Sequence, residues 1–485
     1  MINLIKNEFI KLMKKKSTYI FLIITFLFII LTNILYKHFY NGISYSVYYR
    51  DDAEFYSTVL RQLDPNNSEQ VEEYVEIKTQ LDVINLISKY GFDSWQANII
   101  PSKVSSIIGL INRYTYIEKD EFALTDAKKK YDTFINALDS DNWRYFAELE
   151  LEEVNLLLSE KQQFSIDNNL NSEGSTYDFK IYEIDKQILE WRLEKDIPYA
   201  NTFLNTALQN YSRSSRNIIY YEAESNHSYS DKLDYYDSLK EANINKYYIE
   251  NNIRNIKDYD NRYILVNLLN EYELFILIFI IMISGSIVSD EFNKGTIKLL
   301  LIRPYSRLKI LLAKFLTCLC MFILFIVFIF ISQLLVGGII QGFGSLNVPA
   351  VIYNYNTHNI ETMSIIKYLI INICAKLPMF LLLITLAFTI STLFTNSALA
   401  LALPLLGYMV SSIINQLIAH ALLKDIKAPL YFVTPNWDLT SYLFGGLPSF
   451  EPINLGFSIL VCLSYFLIMI FISCFVFKKR NIKNV

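Results

Sequence analysis

The sequence offers little to catalysis or to covalent cross-linking. Five cysteines in 485 residues exclude a disulfide scaffold, and all five (Cys318, Cys320, Cys374, Cys462, Cys474) lie in its most apolar part. The four histidines (His38, His227, His358, His420) are far apart and lack metal-ligand spacing. No Gly-x-x-x-x-Gly-Lys-Ser/Thr phosphate loop occurs, so the chain has no recognisable means of hydrolysing ATP. A Gly-x-Ser-x-Gly elbow is also missing. Paired carboxylates such as Asp51-Asp52 and Glu152-Glu153 sit in a heavily charged stretch, where a solvated face is expected. No catalytic, cofactor-binding or metal residues are assigned, and the chain is not expected to be an enzyme. Charge is scarce too, at 19% of residues against ~25% in soluble domains. What abounds is apolar surface. The chain is 52% hydrophobic with 33 Phe, 35 Tyr and 4 Trp, which excludes a disordered chain.

The net charge of -4 conceals two unlike parts. Residues 38–270 hold 39 acidic and 24 basic side chains, a net of -15. The remainder holds 9 acidic and 20 basic, a net of +11. Uncharged runs in the basic part have the length of membrane spans, for which ~20 residues are needed. The reading is an elbow helix over 1–16, then span one over 17–36 and span two over 265–289. Span three covers 310–336, span four 377–395, span five 397–423 and span six 453–477. No small-residue cleavage site follows the first run, which is therefore read as a retained span. Glu271 and Glu273 interrupt the second, lying near the interface or against protein.

Basic residues choose the direction. Lysines of the first sixteen residues, of the loop 290–309 and of the tail 478–485 would all fall on one side, taken as the cytoplasm. The expectation is an all-α polytopic membrane protein of the plasma membrane, with six transmembrane helices and both termini cytoplasmic. A mostly helical extracytoplasmic domain over 37–264 follows span one. Residues 337–376 form an outer loop and the approach to span four.

The acidic block contains only four Gly and three Pro, too few for a turn-rich β domain. Helical spacing recurs in Tyr74, Ile77, Leu81 and Ile84, in Ala127, Tyr131, Phe134 and Leu138, and in Ile181, Ile184, Ile188 and Trp191. Its last helix is expected over Asp231 to Asn270, running into span two. The block holds 24 of the 35 tyrosines. Two readings of that remain open: a surface for a cationic amphipathic ligand, or a compositional bias in which Tyr fills cores.

Two segments could carry function. In residues 1–16, Ile2, Ile5, Phe9, Leu12 and Met13 share one face of a helix, and lysines lie elsewhere. Such a helix lies in the membrane interface, against lipid headgroups. Ile5, Phe9 and Leu12 are its candidate contact residues. The loop from Ser289 to Arg307 is too apolar for a free loop and too charged for a span. Glu291 continues the helix, Gly295 permits a bend, Leu299, Leu300 and Ile302 supply a docking face, and Pro304 ends the turn. Glu291 and Arg303 could pair with a partner at the rim. Lys376, ahead of span four, is read as lying at the outer edge and snorkelling to water.

The pattern Glu-x-x-x-Gly-Thr-x-x-x-Leu-Leu, followed by Arg-Pro-x-Ser-Arg and a lysine opening the next span, resembles the cytoplasmic loop of type-two ABC exporter permeases. Glu291, Gly295, Thr296, Leu300, Leu301, Arg303, Pro304, Ser306, Arg307 and Lys314 carry the match. The likeness covers about 1–36 and 265–485 and leaves the acidic insert unexplained. It implies a permease without an ATPase of its own. Two ATP-binding subunits, holding ATP and magnesium, would seat this loop as a coupling helix. A second permease, identical or related, would complete the complex, with membrane lipid around it and no nucleic acid. The segment 424–452, with Pro429, Pro435, Pro448 and Pro452, resembles the family's re-entrant outer helices. The implied function is export of a hydrophobic or amphipathic substrate such as a peptide antibiotic or lipid. A receptor or sensor whose outer domain binds ligand without transport is the alternative, and a membrane scaffold is a third.

Overall fold

The protein is described from a computed structural model over residues 1–40, 46–167, 176–254, 256, 259–297 and 305–480. It divides into two compact units, Met1–Tyr40 with Asp258–Val485, and Asn41–Lys257. The first unit opens with α1 (Ile2–Met13) and α2 (Lys16–Tyr40).

Among its described residues the second unit has helices joined by turns, and no strand. Its helices are α3 (Ser46–Leu60), α4 (Val71–Tyr90), α5 (Trp95–Ile99), α6 (Ser105–Arg113), α7 (Glu121–Asp139), α8 (Trp143–Asp167), α9 (Thr176–Glu194), α10 (Phe203–Ala223) and α11 (Tyr229–Glu250). Short polar side chains start several of them by accepting orphan backbone N–H groups. Asp120 accepts from Phe122 and Ala123, Thr202 from Asn205, and Ser228 forms a capping box with Asp231. The stripe of α7 packs as its spacing predicts, with Ala127, Phe134 and Leu138 buried and Tyr131 half-buried. On α4 the deep face is Val75, Val83, Ile84, Leu86 and Ile87. Tyr74, Ile77 and Leu81 flank it half-buried. On α9, Trp191 is buried while Ile181, Ile184 and Ile188 are half-buried. Two apolar cores result, one around Trp95, Phe134 and Phe146, the other around Trp191, Leu204, Leu208 and Ile249. The continuous helix expected over Asp231 to Asn270 is broken. α11 stops at Glu250, and Asn252 takes a left-handed φ of 49° that no α-helix accommodates.

The first unit resumes with four short helices, α12 (Asn261–Val266), α13 (Leu268–Glu271), α14 (Glu273–Ser286) and α15 (Ser289–Asn293). Then come α16 (Arg307–Gln341), α17 (Ile365–Leu393), α18 (Ser397–Leu422) and α19 (Leu455–Lys479). Five helices, α2 and α16 to α19, are long and apolar enough to cross a membrane, as a multi-pass membrane protein requires. The second expected span, 265–289, is instead a jointed series. Its longest piece, α14, has 14 residues, a rise of about 21 Å. After Glu273, α14 is apolar on all sides, and nine of its 14 residues are buried, as suits a helix inside a bundle. By contrast α18 buries only Ala400, Pro404 and Ile418 and turns leucines such as Leu399, Leu403 and Leu406 outward.

Three boundaries differ from expectation. α16 runs through Gly337-Gly338 to Gln341, because these glycines let a neighbouring element approach and do not end the helix. A Cβ at Gly337 would strike the Asn261 side chain of α12. α17 begins at Ile365, carrying Pro378 inside it. The segment 424–452 contains two 3-10 turns, Ala428–Tyr431 and Thr440–Gly445, and no α-helix.

The all-α expectation also needs correction. β1 (Ala350–Asn354) and β2 (Asn359–Met363) pair antiparallel between α16 and α17, with Ala350 opposite Met363 and Asn354 opposite Asn359. The turn is closed by Asn side chains. Asn354 Oδ1 accepts from the Asn356 N–H at 3.0 Å and its Nδ2 donates to Glu361 at 2.6 Å. His358 takes a left-handed φ of 53°.

α14 and α18 pack closely at Gly285, where a Cβ would lie 2.7 Å from the Ala400 carbonyl oxygen. Gly285→Ala should cost about 1–3 kcal/mol through overpacking. The measurement is thermal unfolding in detergent, against Gly344→Ala, where nothing lies within 4 Å and no change is expected. An unchanged melting temperature for Gly285→Ala would contradict this packing.

Candidate functional site

The side chains of greatest electrostatic consequence gather where α1, α15 and the start of α16 meet. α1 turns Leu4, Glu8 and Leu12 inward, spaced at i, i+4 and i+8. Ile5 and Phe9 lie beside that stripe half-buried, and Leu12 joins the apolar core of this unit. Ile2, expected on the apolar face turned to the membrane interface, is 80% exposed. α1 docks on protein through the Leu4–Glu8–Leu12 stripe, with a glutamate at its centre. The hydroxyl of Thr18 donates to the Leu12 carbonyl at 2.9 Å and secures the corner into α2.

Opposite Glu8 stands Lys314 on α16, fully buried at 0% exposure. Its ammonium donates to Glu8 Oε2 at 2.8 Å, to Glu291 Oε1 at 2.7 Å and to the Ile287 carbonyl at 3.3 Å. Lys11 also donates to Glu291 Oε1. Two carboxylates thus face two ammonium groups, and the cluster is neutral. Glu291 Oε2 is buried without a hydrogen-bond partner among the described residues. Beside the cluster, Lys15 donates to Asp290 at 2.7 Å and to Ser286 at 3.0 Å. Asp290 also accepts from the hydroxyl of Ser397, the first residue of α18, at 2.8 Å. Burial works to raise the Asp290 carboxyl, but Lys15 and Ser397 outweigh it and hold it below its ordinary range. Burial likewise works to lower Lys11, and Glu291 reverses the sign.

The expected coupling segment enters from this cluster. Glu291 does not reach outward to a rim; burial behind Lys314 and Lys11 makes it an internal anchor. Gly295 adopts a left-handed φ of 66°, which favours glycine. Thr296 directs its hydroxyl to the Glu291 carbonyl at 3.5 Å, and Ile297 is buried. Leu299, Leu300, Leu301, Arg303 and Pro304 lie outside the described residues. Past them, the Ser306 hydroxyl caps α16 by accepting from the Lys309 N–H at 3.4 Å. Arg307 donates to the Lys478 and Arg480 carbonyls at 3.1 and 3.2 Å. Arg480 donates to the Thr392 carbonyl at 2.6 Å and stacks over Phe292 at 4.0 Å. The segment is therefore anchored on both sides.

Sequence reasoning did not find Glu8, nor the role of Lys314. Two signals pointed there: a lone acid amid the lysines of α1, four residues from Leu4 and from Leu12, and a lysine about two turns into α16 that is the last charge before a long uncharged run. Lys376 also departs from expectation. It does not snorkel but is 6% exposed, donating to Glu273 at 2.5 Å and Asn270 at 2.7 Å. The early start of α17 puts it twelve residues into that helix, facing α14. Tyr408 donates to the same glutamate. Glu273 thus lies against protein. Among the described residues no group of three or more His, Cys, Asp or Glu is placed to hold a metal.

Comparison with known proteins adds two findings. A family described as a protein of unknown function, DUF2705, matches residues 238–483. An uncharacterised protein of Bacillus subtilis (strain 168), YhcI, is 30% identical over 253 residues, 51% of this chain and 78% of that relative. No solved structure matches the chain.

The cluster makes a quantitative prediction. Lys314→Met leaves two buried carboxylates under-compensated and should cost about 3–5 kcal/mol. Lys11→Ala removes a half-exposed partner and should cost about 0–1 kcal/mol. The triple variant Glu8→Gln, Lys314→Met, Glu291→Gln should recover much of the loss, because the buried charges leave together. Thermal unfolding of the purified protein reads all three. Equal losses from Lys314→Met and Lys11→Ala would show that the burial of Lys314 carries no energetic weight.

Proposed function

The chain belongs to the DUF2705 family, and we propose that it is the membrane-spanning permease subunit of an ATP-driven exporter. In this reading α2, the jointed α12–α14 series and α16 to α19 make six spans. Both termini and the loop 290–309 are cytoplasmic, and residues 37–264 are extracytoplasmic. Two copies of a separate ATP-binding subunit bind ATP and magnesium, and a second permease, identical or related, pairs with this one. The cargo is hydrophobic or amphipathic, such as a peptide antibiotic or a lipid.

The observation that carries the reading is the anchoring of the Glu291–Arg307 segment. Its motif resembles a coupling loop, and a loop that transmits force from a partner needs a stiff base on the membrane side. Lys314 ties its first residue to α1 and α16, and Arg307 ties its last to the end of α19. Force arriving at either flank of the loop would then reach three helices.

A receptor or sensor is the second reading. It is favoured by the outer block, since Asn41–Lys257 forms a compact unit of its own and most of it lies outside the family match. Uptake of cargo into inverted vesicles distinguishes the two. A sensor stimulates the co-purified ATPase on ligand binding but moves nothing.

Leu300→Asp or Gly295→Pro should leave the protein in the membrane, strip it of its ATP-binding subunit and abolish transport. A buried leucine contributes about 1.5–3 kcal/mol to such a contact. Lys6→Ala, on the exposed side of α1, serves as the control that retains the partner. Co-purification is the readout, and a fully coupled ATPase on Leu300→Asp would refute the coupling role. The topology has its own check, in a background lacking the native cysteines. An impermeant thiol reagent on intact cells should label Tyr220→Cys and spare Asn293→Cys.

A further inference from the structure

The second unit contains a buried cation that its own side chains leave incompletely matched. Arg192, near the end of α9, is 5% exposed. It donates to the Ile197 carbonyl at 3.0 Å and to Asn205 Oδ1 at 2.9 Å, and it lies over the Tyr199 ring at 3.9 Å. All three partners are neutral. Its buried Nε–H has no acceptor among the described residues. Burial pushes the guanidinium below its ordinary range, and nearby Tyr199 and Glu150 offset only part of that.

Arg192 forms part of the wall of a cavity of about 330 Å³, within the size range of small-ligand sites. Val154, Ile188, Leu189 and Leu208 supply the aliphatic part of that wall. The wall also carries carboxylates, but each is already engaged. Glu150 accepts from the Tyr199 hydroxyl at 2.6 Å and lies 3.3 Å from Lys103. Glu153 is 3.2 Å from Lys103, and Asp185 is 2.5 Å from Arg216. Of the two cations in that wall, Lys103 has carboxylate partners, whereas Arg192 has only neutral hydrogen-bond partners and stands beside an aliphatic surface.

We propose that this cavity binds a small amphipathic carboxylate, with its carboxylate on Arg192 and its apolar body against Ile188, Leu189 and Leu208. A carboxylate supplies the anionic hydrogen-bond acceptor that Arg192 lacks among its described partners, and charge-assisted hydrogen bonds to guanidinium are the strong ones. A neutral acceptor lacks that charge. A phosphate dianion would meet the surrounding carboxylates with twice the repulsion. The site stands independently of the transport reading.

The test uses the full chain in lipid nanodiscs, titrated with N-acetyl-leucine, with its neutral amide and with cationic leucinamide. Tryptophan fluorescence reports binding, since Trp191 adjoins Arg192. The acid should bind saturably and at least tenfold more tightly than either amide. Arg192→Met should abolish that preference. Val154→Trp, which fills the cavity and leaves Arg192 in place, should abolish binding and decides the matter if Arg192→Met fails to fold. Equal affinity for acid and amide, binding that does not saturate, a preference retained by Arg192→Met, or binding unchanged in Val154→Trp would each overturn the proposal.

Discussion

A lysine with no access to water must be met by carboxylates, and in this protein that requirement organises one whole end of the first unit. Lys314 is held by Glu8 from α1 and Glu291 from α15. Neither glutamate can leave without stranding charge, so three elements remote in sequence are held in one register. The surrounding contacts extend the same tie. Lys15 and Ser397 share Asp290, joining α18. Arg307 and Arg480 join α16 to the ends of α17 and α19. Apolar packing alone gives helices in lipid little preference for one neighbour over another, because hydrocarbon tails are as apolar as leucine. Polar matches therefore choose the partners.

Two further matches lie along the same bundle. Gln333 on α16 exchanges hydrogen bonds with Asn33 of α2 at 2.9 and 3.1 Å and accepts from Tyr272 at 2.6 Å. Lys376 on α17 meets Glu273 at the start of α14. Each puts a polar group of one long helix on the jointed α12–α14 series. That series is thereby buried at the centre, while half the residues of α16 and α17 are buried around it. The second unit is built differently, with capped helices and aromatic cores.

The long apolar helices, the amphipathic start, the helical acidic block and the bend at Gly295 were legible because each rests on local pattern. Uncharged length marks a helix able to cross a membrane, and a 3.6-residue period marks a buried stripe, as on α7. The hairpin was not legible. Its strands are five residues each and sit in a stretch whose pairing is decided by the Asn354–Asn359 turn. Nor was the break after Glu250, where two asparagines end a helix that hydrophobic spacing alone would continue.

The sequence by itself determined which segments are apolar enough for lipid, which are acidic and helical, and where basic residues gather. These follow from composition and short-range periodicity, which need no knowledge of what lies opposite. Only the tertiary structure decided that Glu291 is an anchor, that Glu8 is its companion, and that Lys376 faces inward. A charged residue near a helix end reads the same whether it meets water or a carboxylate. The difference is made by elements hundreds of residues away, such as the 306 positions that separate Glu8 from Lys314. Burial, which sets the cost of each charge and so its role, is a property of the packed chain alone.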